Sequence, residues 1–355
     1  MNTVFHKPSH RSSVAAWPLL LLLLTGAFVP GLSNSLHAQD DYFPLPSRNP
    51  GKFGYPFPAP VANEPGVTLF HRYMLDGYPE LEFCPRPQDE IWVVSSREIS
   101  TCERVTSSDR FLCKHPVGTA WNRVPLEQLL DVQQQNPEKA NIIFIHGNRT
   151  SDFWARRRGK LTYQYLIANN PVEMPPVRYI IWSWPSDAVN GPVKDFWKKI
   201  NRAKYDGELL GQFIGMLNPA QQLTFLTHSM GAQVAFTGIQ AASLNQPIRP
   251  RFDVISMAPV THCNWPRNMT EADIISAQIN RLCFIRNPSD IAIRAYKKLC
   301  THESKHPFVA GADIISSIHP NSQQYDASQS LGCEHNIIGY VTTPPVRCEL
   351  QSILR

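Results

Sequence analysis

Leu223-Thr224-Phe225-Leu226 runs directly into Thr227-His228-Ser229-Met230-Gly231, and a helix-forming stretch, Met230–Ala242, follows at once. A short apolar run that turns without a linker into a helix reads as strand, sharp turn, helix. A serine on such a turn projects its hydroxyl clear of the sheet. The turn brings strand and helix backbones together, so small residues are wanted two positions either side of Ser229. Gly231 and Ala232 meet that need. Thr227 stands where the usual pattern has glycine, and it is tolerable only if its packing partner is small. The plainer alternative is that Ser229 caps the helix, as serine often does.

Outward from this turn, β-rich apolar runs alternate with helical patterns. The runs are Ile91–Ser95, Asn141–Ile145, Arg178–Trp184, Leu223–Leu226, Phe252–Met257, Arg281–Ile285 and Ala312–Ile318. Leu126–Gln135 reads as a helix. Phe196, Ile200, Ala203, Gly207, Leu210, Ile214 and Leu217 recur at steps of three and four, which is one helix face. Short strands that are apolar throughout, with helices between them, predict an α/β fold: a mostly parallel sheet with helices on both faces.

A serine hydroxyl is a weak nucleophile at neutral pH and needs a base and an anion-stabilising pocket. Ile142–Ile145 ends in His146-Gly147-Asn148-Arg149, a strand running into a glycine turn. Gly147 permits close backbone approach. The Asn148 backbone N–H is a candidate oxyanion donor, paired with that of Met230; the alternative is an ordinary strand-exit turn. Asn148-Arg149-Thr150 is also a glycosylation sequon, but one too close to the candidate site to be used.

The strand-His-Gly-Asn loop followed by the His-Ser-Met-Gly turn resembles the alpha/beta-hydrolase superfamily. Trp92–Arg97, Trp182-Ser183-Trp184-Pro185-Ser186-Asp187 and Asn287-Pro288-Ser289-Asp290 are similar to a bacterial branch of esterase/lipase-like serine hydrolases within it. The resemblance covers about residues 90–355. It implies the chain order nucleophile, acid, histidine. Asp290 lies just past the strand Arg281–Ile285, at the edge where catalytic groups gather in open α/β sheets. It is the expected acid, with helix capping as its alternative role. Asp253 opens its strand, and Asp187 comes too early in the order. His335, between the last strand and a terminal helix expected at Arg347–Leu354, is the expected base, with His319 as its rival. The implied activity is hydrolysis of an acyl bond, most simply a carboxylic ester, through Ser229, His335 and Asp290 with no cofactor. Substitution at Thr227 supports a different class, a non-catalytic binding or assembly protein that keeps the fold.

The rest of the chain sets the context. Lys7 and Arg11 precede an apolar stretch from Val14 to Leu32, and small residues including Ser35 and Ala38 follow. This describes a secretory signal peptide over residues 1–38, with an uncleaved membrane anchor as the alternative. Residues 39–85 read as a Pro-rich leader, since seven of the 31 prolines lie between 42 and 66. Residues 86–355 form the expected hydrolase domain. All eight cysteines fall in the exported part, where oxidising conditions favour disulfides. Cys102 with Cys113 and Cys333 with Cys348 are the local candidates, and Cys283 reads as a buried free thiol. A net charge of +5 without a long Lys/Arg run argues against nucleic acid. The expected partner is a small-molecule or lipid-like acyl substrate.

Three further features read as structural. His302-Glu303-Ser304-Lys305-His306 fits a zinc-binding spacing, but Pro307 pushes His306 out of helical backbone and no third ligand follows. Arg156, Arg157, Arg158 and Lys160, and Lys198, Lys199, Arg202 and Lys204, read as solvated helix faces. Trp182 and Trp184 read as core.

Overall fold

The computed structural model describes residues 83, 85–100, 111–117, 120–189, 191–245, 252–261, 269–303 and 319–354. Among them, nine strands form one sheet: β1 Glu90–Ser95, β2 Leu112–Val117, β3 Ala120–Val124, β4 Ala140–Ile145, β5 Val177–Ser183, β6 Leu223–His228, β7 Phe252–Met257, β8 Ile279–Arg286 and β9 Ser322–Asp326. Their spatial order is β3-β2-β1-β5-β4-β6-β7-β8-β9. From β1 to β9 every neighbouring pair is parallel, and the β2–β3 hairpin adds two antiparallel pairings at one edge.

The central strands are apolar on alternate and intervening positions alike because both faces are covered. In β5 all seven residues are buried, and in β4 and β1 five of six. One face packs beneath α1 Leu126–Gln135, α3 Pro192–Met216, α4 Gly231–Asn245, α5 Met269–Gln278 and α6 Ile291–Glu303, around Ile143, Ile180, Phe225 and Val254. The other packs beneath α2 Asp152–Tyr163, α8 Ile337–Thr342 and α9 Pro344–Ile353, around Phe144, Tyr179, Ile181 and Ile255; α7 Ser328–Leu331 is a single short turn. Each such aliphatic or aromatic side chain contributes about 1.5–3 kcal/mol on full burial. The expected face of α3, from Phe196 to Leu217, is buried and lies along α4. The fold class is therefore α/β, as the sequence pattern predicts.

Two ends are tied down by polar contacts. A π-helical turn, Gln164–Ala168, extends α2, and Gln351 on α9 donates to the Tyr165 carbonyl at 2.7 Å. At the entry to β1, Arg86 pairs with Asp89 at 2.7 Å, Tyr163 donates to the same carboxylate at 2.7 Å, and Phe83 lies edge-on to Tyr163.

Two pieces of the sheet carry no apolar run in the sequence. The last described strand, β9, is Ser-Gln-Gln-Tyr-Asp, which no apolar run marks because it is a solvent-facing edge. The β2–β3 hairpin was likewise unmarked. Residues 1–38, Ala312–Ile318 and Cys84, Cys102 and Cys263 lie outside the described residues. Cys333 and Cys348, suggested as a pair, are separate free thiols, as are Cys113 and the buried Cys283. Burial pushes the Cys113 and Cys283 thiols up to about 12, so both stay protonated and unreactive. No helix among the described residues is long and apolar enough to cross a membrane.

Candidate active site

Because β1 and β4 to β9 run in parallel, their C-terminal ends share one edge, and the loops there carry the candidate residues. Ser229 follows β6 in a left-handed backbone conformation, φ 51°. A side-chain-bearing residue in that region costs about 1–3 kcal/mol and persists only where its surroundings over-determine it. Here they do. The Ser229 N–H donates to the Met257 carbonyl at 2.9 Å, and its own carbonyl accepts the Val260 N–H at 3.0 Å. Gly231 sets the approach of α4 to β4: a Cβ there would lie 2.3 Å from the Ile145 carbonyl oxygen. Thr227 is fully buried, and its hydroxyl donates to the Ser256 hydroxyl at 2.6 Å. The neighbour is small, so threonine fits where glycine is usual.

The structure brings Ser229, His335 and Asp290 together. His335 Nε2 lies 3.0 Å from Ser229 Oγ, and His335 Nδ1 lies 2.5 Å from Asp290 Oδ2. The acceptor-only carboxylate assigns the proton to Nδ1 and leaves Nε2 free to accept from the serine. Asp290 uses its two carboxylate oxygens on different partners. Its Oδ1 accepts the Ala292 and Ile293 N–H groups at 2.8 and 3.0 Å, capping α6, while Oδ2 faces the histidine. Burial lowers the pKa of His335, but the Asp290 charge, its hydrogen bond and Glu334 outweigh this and raise it.

The loop carrying His335 is clamped from several sides. Glu334 Oε1 accepts the His335 and Asn336 N–H groups at 3.0 and 2.7 Å, and Asn287 donates to the Glu334 carbonyl at 2.9 Å. The His335 carbonyl lies 2.7 Å from His228 Nε2. Burial raises the pKa of Glu334 against the pull of those hydrogen bonds.

The loop after β4 lies directly over the serine. A Cβ on Gly147 would meet Ser229 Cβ at 2.9 Å. His146 Nδ1 is 2.9 Å from the Gly147 carbonyl, Ser186 donates to the same oxygen at 3.1 Å, and the Trp184 N–H donates to His146 Nε2 at 3.3 Å. Burial, with the Arg97 charge adding, pushes His146 down to about 3, so the ring is neutral. With the Gly147 carbonyl pinned, planarity of a trans peptide turns the Asn148 N–H to the opposite side. Neither that N–H nor the Met230 N–H has an acceptor among the described residues. The Asn148 side chain donates to buried Asp195 at 2.9 Å, which ties up the amide of the sequon. Asp195 Oδ1 also accepts the Val189 N–H, so one carboxylate joins the loops after β4 and β5.

Such an arrangement can move a proton from a hydroxyl to an imidazole and hold the resulting cation beside a carboxylate. Other candidates sit elsewhere. His319 is buried at the opposite edge of the sheet, its Nε2 3.0 Å from the Ile279 carbonyl at the start of β8. Asp253 is paired with Arg281 at that same edge, and Asp187 pairs with Arg97 at 2.6 Å. Arg158, Lys199 and Arg202 correct the solvated-face expectation. Arg158 is buried and donates to Thr150 at 2.6 Å, Lys199 is buried on Pro185, and Arg202 pairs with Asp206. Helix patterning assigns a face only by its apolar residues, so cations turned inward by tertiary contacts go unseen. Trp182 and Trp184 are fully buried, with Trp184 stacked on His146. Ser304–His306 of the zinc-like spacing lies outside the described residues, among which no cluster of three metal-binding side chains occurs.

Sequence reasoning missed His228, Glu334, Asn287, His146 and Asp195 as supports. The only signal was proximity: His228 and Glu334 each adjoin a candidate residue.

The sheet is mostly parallel, and the strand–turn–helix at Ser229 lies at its C-terminal edge. No family model matches the chain, and no curated protein matches it in sequence. Among solved structures, TT1662 from Thermus thermophilus is similar over 61% of this chain and 90% of its own, at 10% identity and a TM-score of 0.32.

Proposed function

We propose that the protein is a serine hydrolase that cleaves an acyl bond, a carboxylic ester in the simplest case. The observation that carries this reading is the hydrogen-bonded chain Ser229–His335–Asp290, with the serine in a left-handed turn at the sheet's C-terminal edge. Ser229 Oγ attacks the acyl carbonyl while His335 Nε2 takes its proton. Asp290 holds the ring in the tautomer that exposes Nε2 and stabilises the imidazolium. The N–H groups of Asn148 and Met230 receive the negative charge that develops on the carbonyl oxygen. His335 then returns the proton to the leaving alcohol, and water releases the acyl group by the same steps in reverse order. His335 carries each proton in this scheme, from Ser229 to the leaving alcohol and then from the attacking water back to Ser229.

The ester preference rests on the superfamily resemblance, and export on the signal-like residues 1–38. Hydrolysis of a short series of p-nitrophenyl esters tests the reading. Wild-type turnover that is lost in Ser229→Ala and strongly reduced in His335→Gln supports it. Turnover indifferent to both substitutions would refute it.

A further inference from the structure

His228 precedes the proposed nucleophile and is itself buried, yet the reaction scheme gives it no task. Its Nε2 lies 2.7 Å from the His335 backbone carbonyl, and its ring centroid is 5.1 Å from that of His335. A carbonyl oxygen only accepts, so Nε2 must carry the hydrogen. In a neutral imidazole Nδ1 is then bare, and it faces the Cα of Gly147: a Cβ built there would lie 3.0 Å away. The ring also meets Tyr340 edge-on, with 6.0 Å between centroids. The charged and titratable groups around it are Tyr340, His335, Arg158 and His146, and the last three disfavour a cation. Burial, followed by the His335 charge, holds its pKa well below the usual histidine range.

We infer that His228 is a positioning residue for His335: a neutral strut that joins the nucleophile turn to the histidine loop through one Nε2–H···O=C bond. This rests on the triad proposed above. The His335 backbone is then gripped at both ends, its N–H by Glu334 and its carbonyl by His228. Asp290 holds the ring at Nδ1, but that contact by itself does not set where Nε2 lies. Holding the peptide as well fixes where Nε2 sits relative to Ser229 Oγ. Attachment to the residue beside Ser229 makes the spacing between base and nucleophile local to one dipeptide. Neutrality also matters, because a second imidazolium 5.1 Å away would oppose protonation of His335 during attack.

Three substitutions test this. His228→Gln keeps a donor amide near the Nε2 position, His228→Asn keeps an amide too short to reach the carbonyl, and His228→Leu keeps bulk without a donor. The expected result is near-wild-type kcat for His228→Gln. The Asn and Leu variants should show kcat lowered about tenfold or more with KM little changed, the pattern of misplacement in a catalytic geometry. The Asn variant keeps the comparison alive if leucine fails to fold. Equal kcat in Gln and Asn variants, or full activity in the Leu variant, would overturn the inference. The NMR titration of the His335 ring and its Nδ1–H resonance give a readout independent of turnover. If wild-type protein proves inactive, the hydrolase reading fails, while a His335 resonance perturbed by Asn and restored by Gln would still support the strut. An unmoved resonance would sink it.

Discussion

The two edges of the central sheet handle buried polar groups in opposite ways. At the N-terminal edge charges are matched by charges. Arg178, fully buried, pairs with Glu90 at 2.7 Å, Glu90 also takes Lys139 at 2.6 Å, and Arg178 further donates to the Asn141 side chain. Asp253 is likewise satisfied by Arg281, Gln222 and Asn280. At the C-terminal edge, three imidazoles stand among the fixed ions, which include buried Asp195 and Asp290 and the Arg97–Asp187 pair: His146 and His228 are held neutral, and His335 is poised between a hydroxyl and a carboxylate. Backbone strain at Ser229 and two N–H groups without acceptors among the described residues are found there too. A saturated network resists change and suits anchoring. A network with one movable proton and open donors suits chemistry.

This contrast is measurable in four substitutions or titrations. The largest effect is expected at Ser229: Ser229→Ala should lower ester turnover by about 10⁴-fold or more with folding stability little changed. Retained turnover would move the nucleophile elsewhere. Next, Arg178→Met at the other edge should cost about 3 kcal/mol in urea unfolding, since it leaves a mostly buried Glu90 with one partner fewer. Its turnover per folded molecule should be unchanged; a catalytic loss without a stability loss would merge the two edges functionally.

Third comes pH. His335 must be neutral to accept the serine proton, and its pKa is raised above the ordinary histidine value. Activity should therefore fall as pH drops through that raised pKa, with a midpoint above 6.5 in the kcat/KM profile. Linkage gives this group the opposite sign for stability. A raised folded pKa contributes stability that is fully present below the unfolded value and is lost as pH rises through the folded one. A midpoint below 6.5 would mean burial, not Asp290, dominates. The smallest effect is expected at Thr227. Thr227→Val removes one buried hydroxyl contact to Ser256 and should cost about 1 kcal/mol while turnover persists. Loss of turnover there would show that the threonine tunes the turn as well as filling it.

The sequence made some of this arrangement legible and hid the rest for identifiable reasons. Phe252–Met257 and Leu126–Gln135 read correctly to the residue because apolar runs and helical spacing mark buried elements directly. Ser229 and Gly231 were visible because a strand-to-helix turn needs a small residue at a fixed offset. β9 was invisible, since an edge strand of Ser, Gln and Asp leaves no hydrophobic trace. The supports are also non-local. His228 reaches a carbonyl 107 residues away, and Asp195 reaches Asn148 across 47. No spacing rule connects such pairs; only the folded sheet does. Arg158 shows the same limit from the other side, since four neighbouring cations look solvated until the fold turns one inward.

The central claim is that Ser229 is an activated nucleophile, and a fluorophosphonate tests it most directly. Such reagents bond to a serine only when a base has made it nucleophilic. Treatment of the folded protein followed by peptide mapping should give one adduct per chain, on Ser229, formed much more slowly in His335→Gln and absent in Ser229→Ala. A folded wild-type chain that takes up no phosphonate, or takes it up elsewhere with Ser229 untouched, would contradict the account.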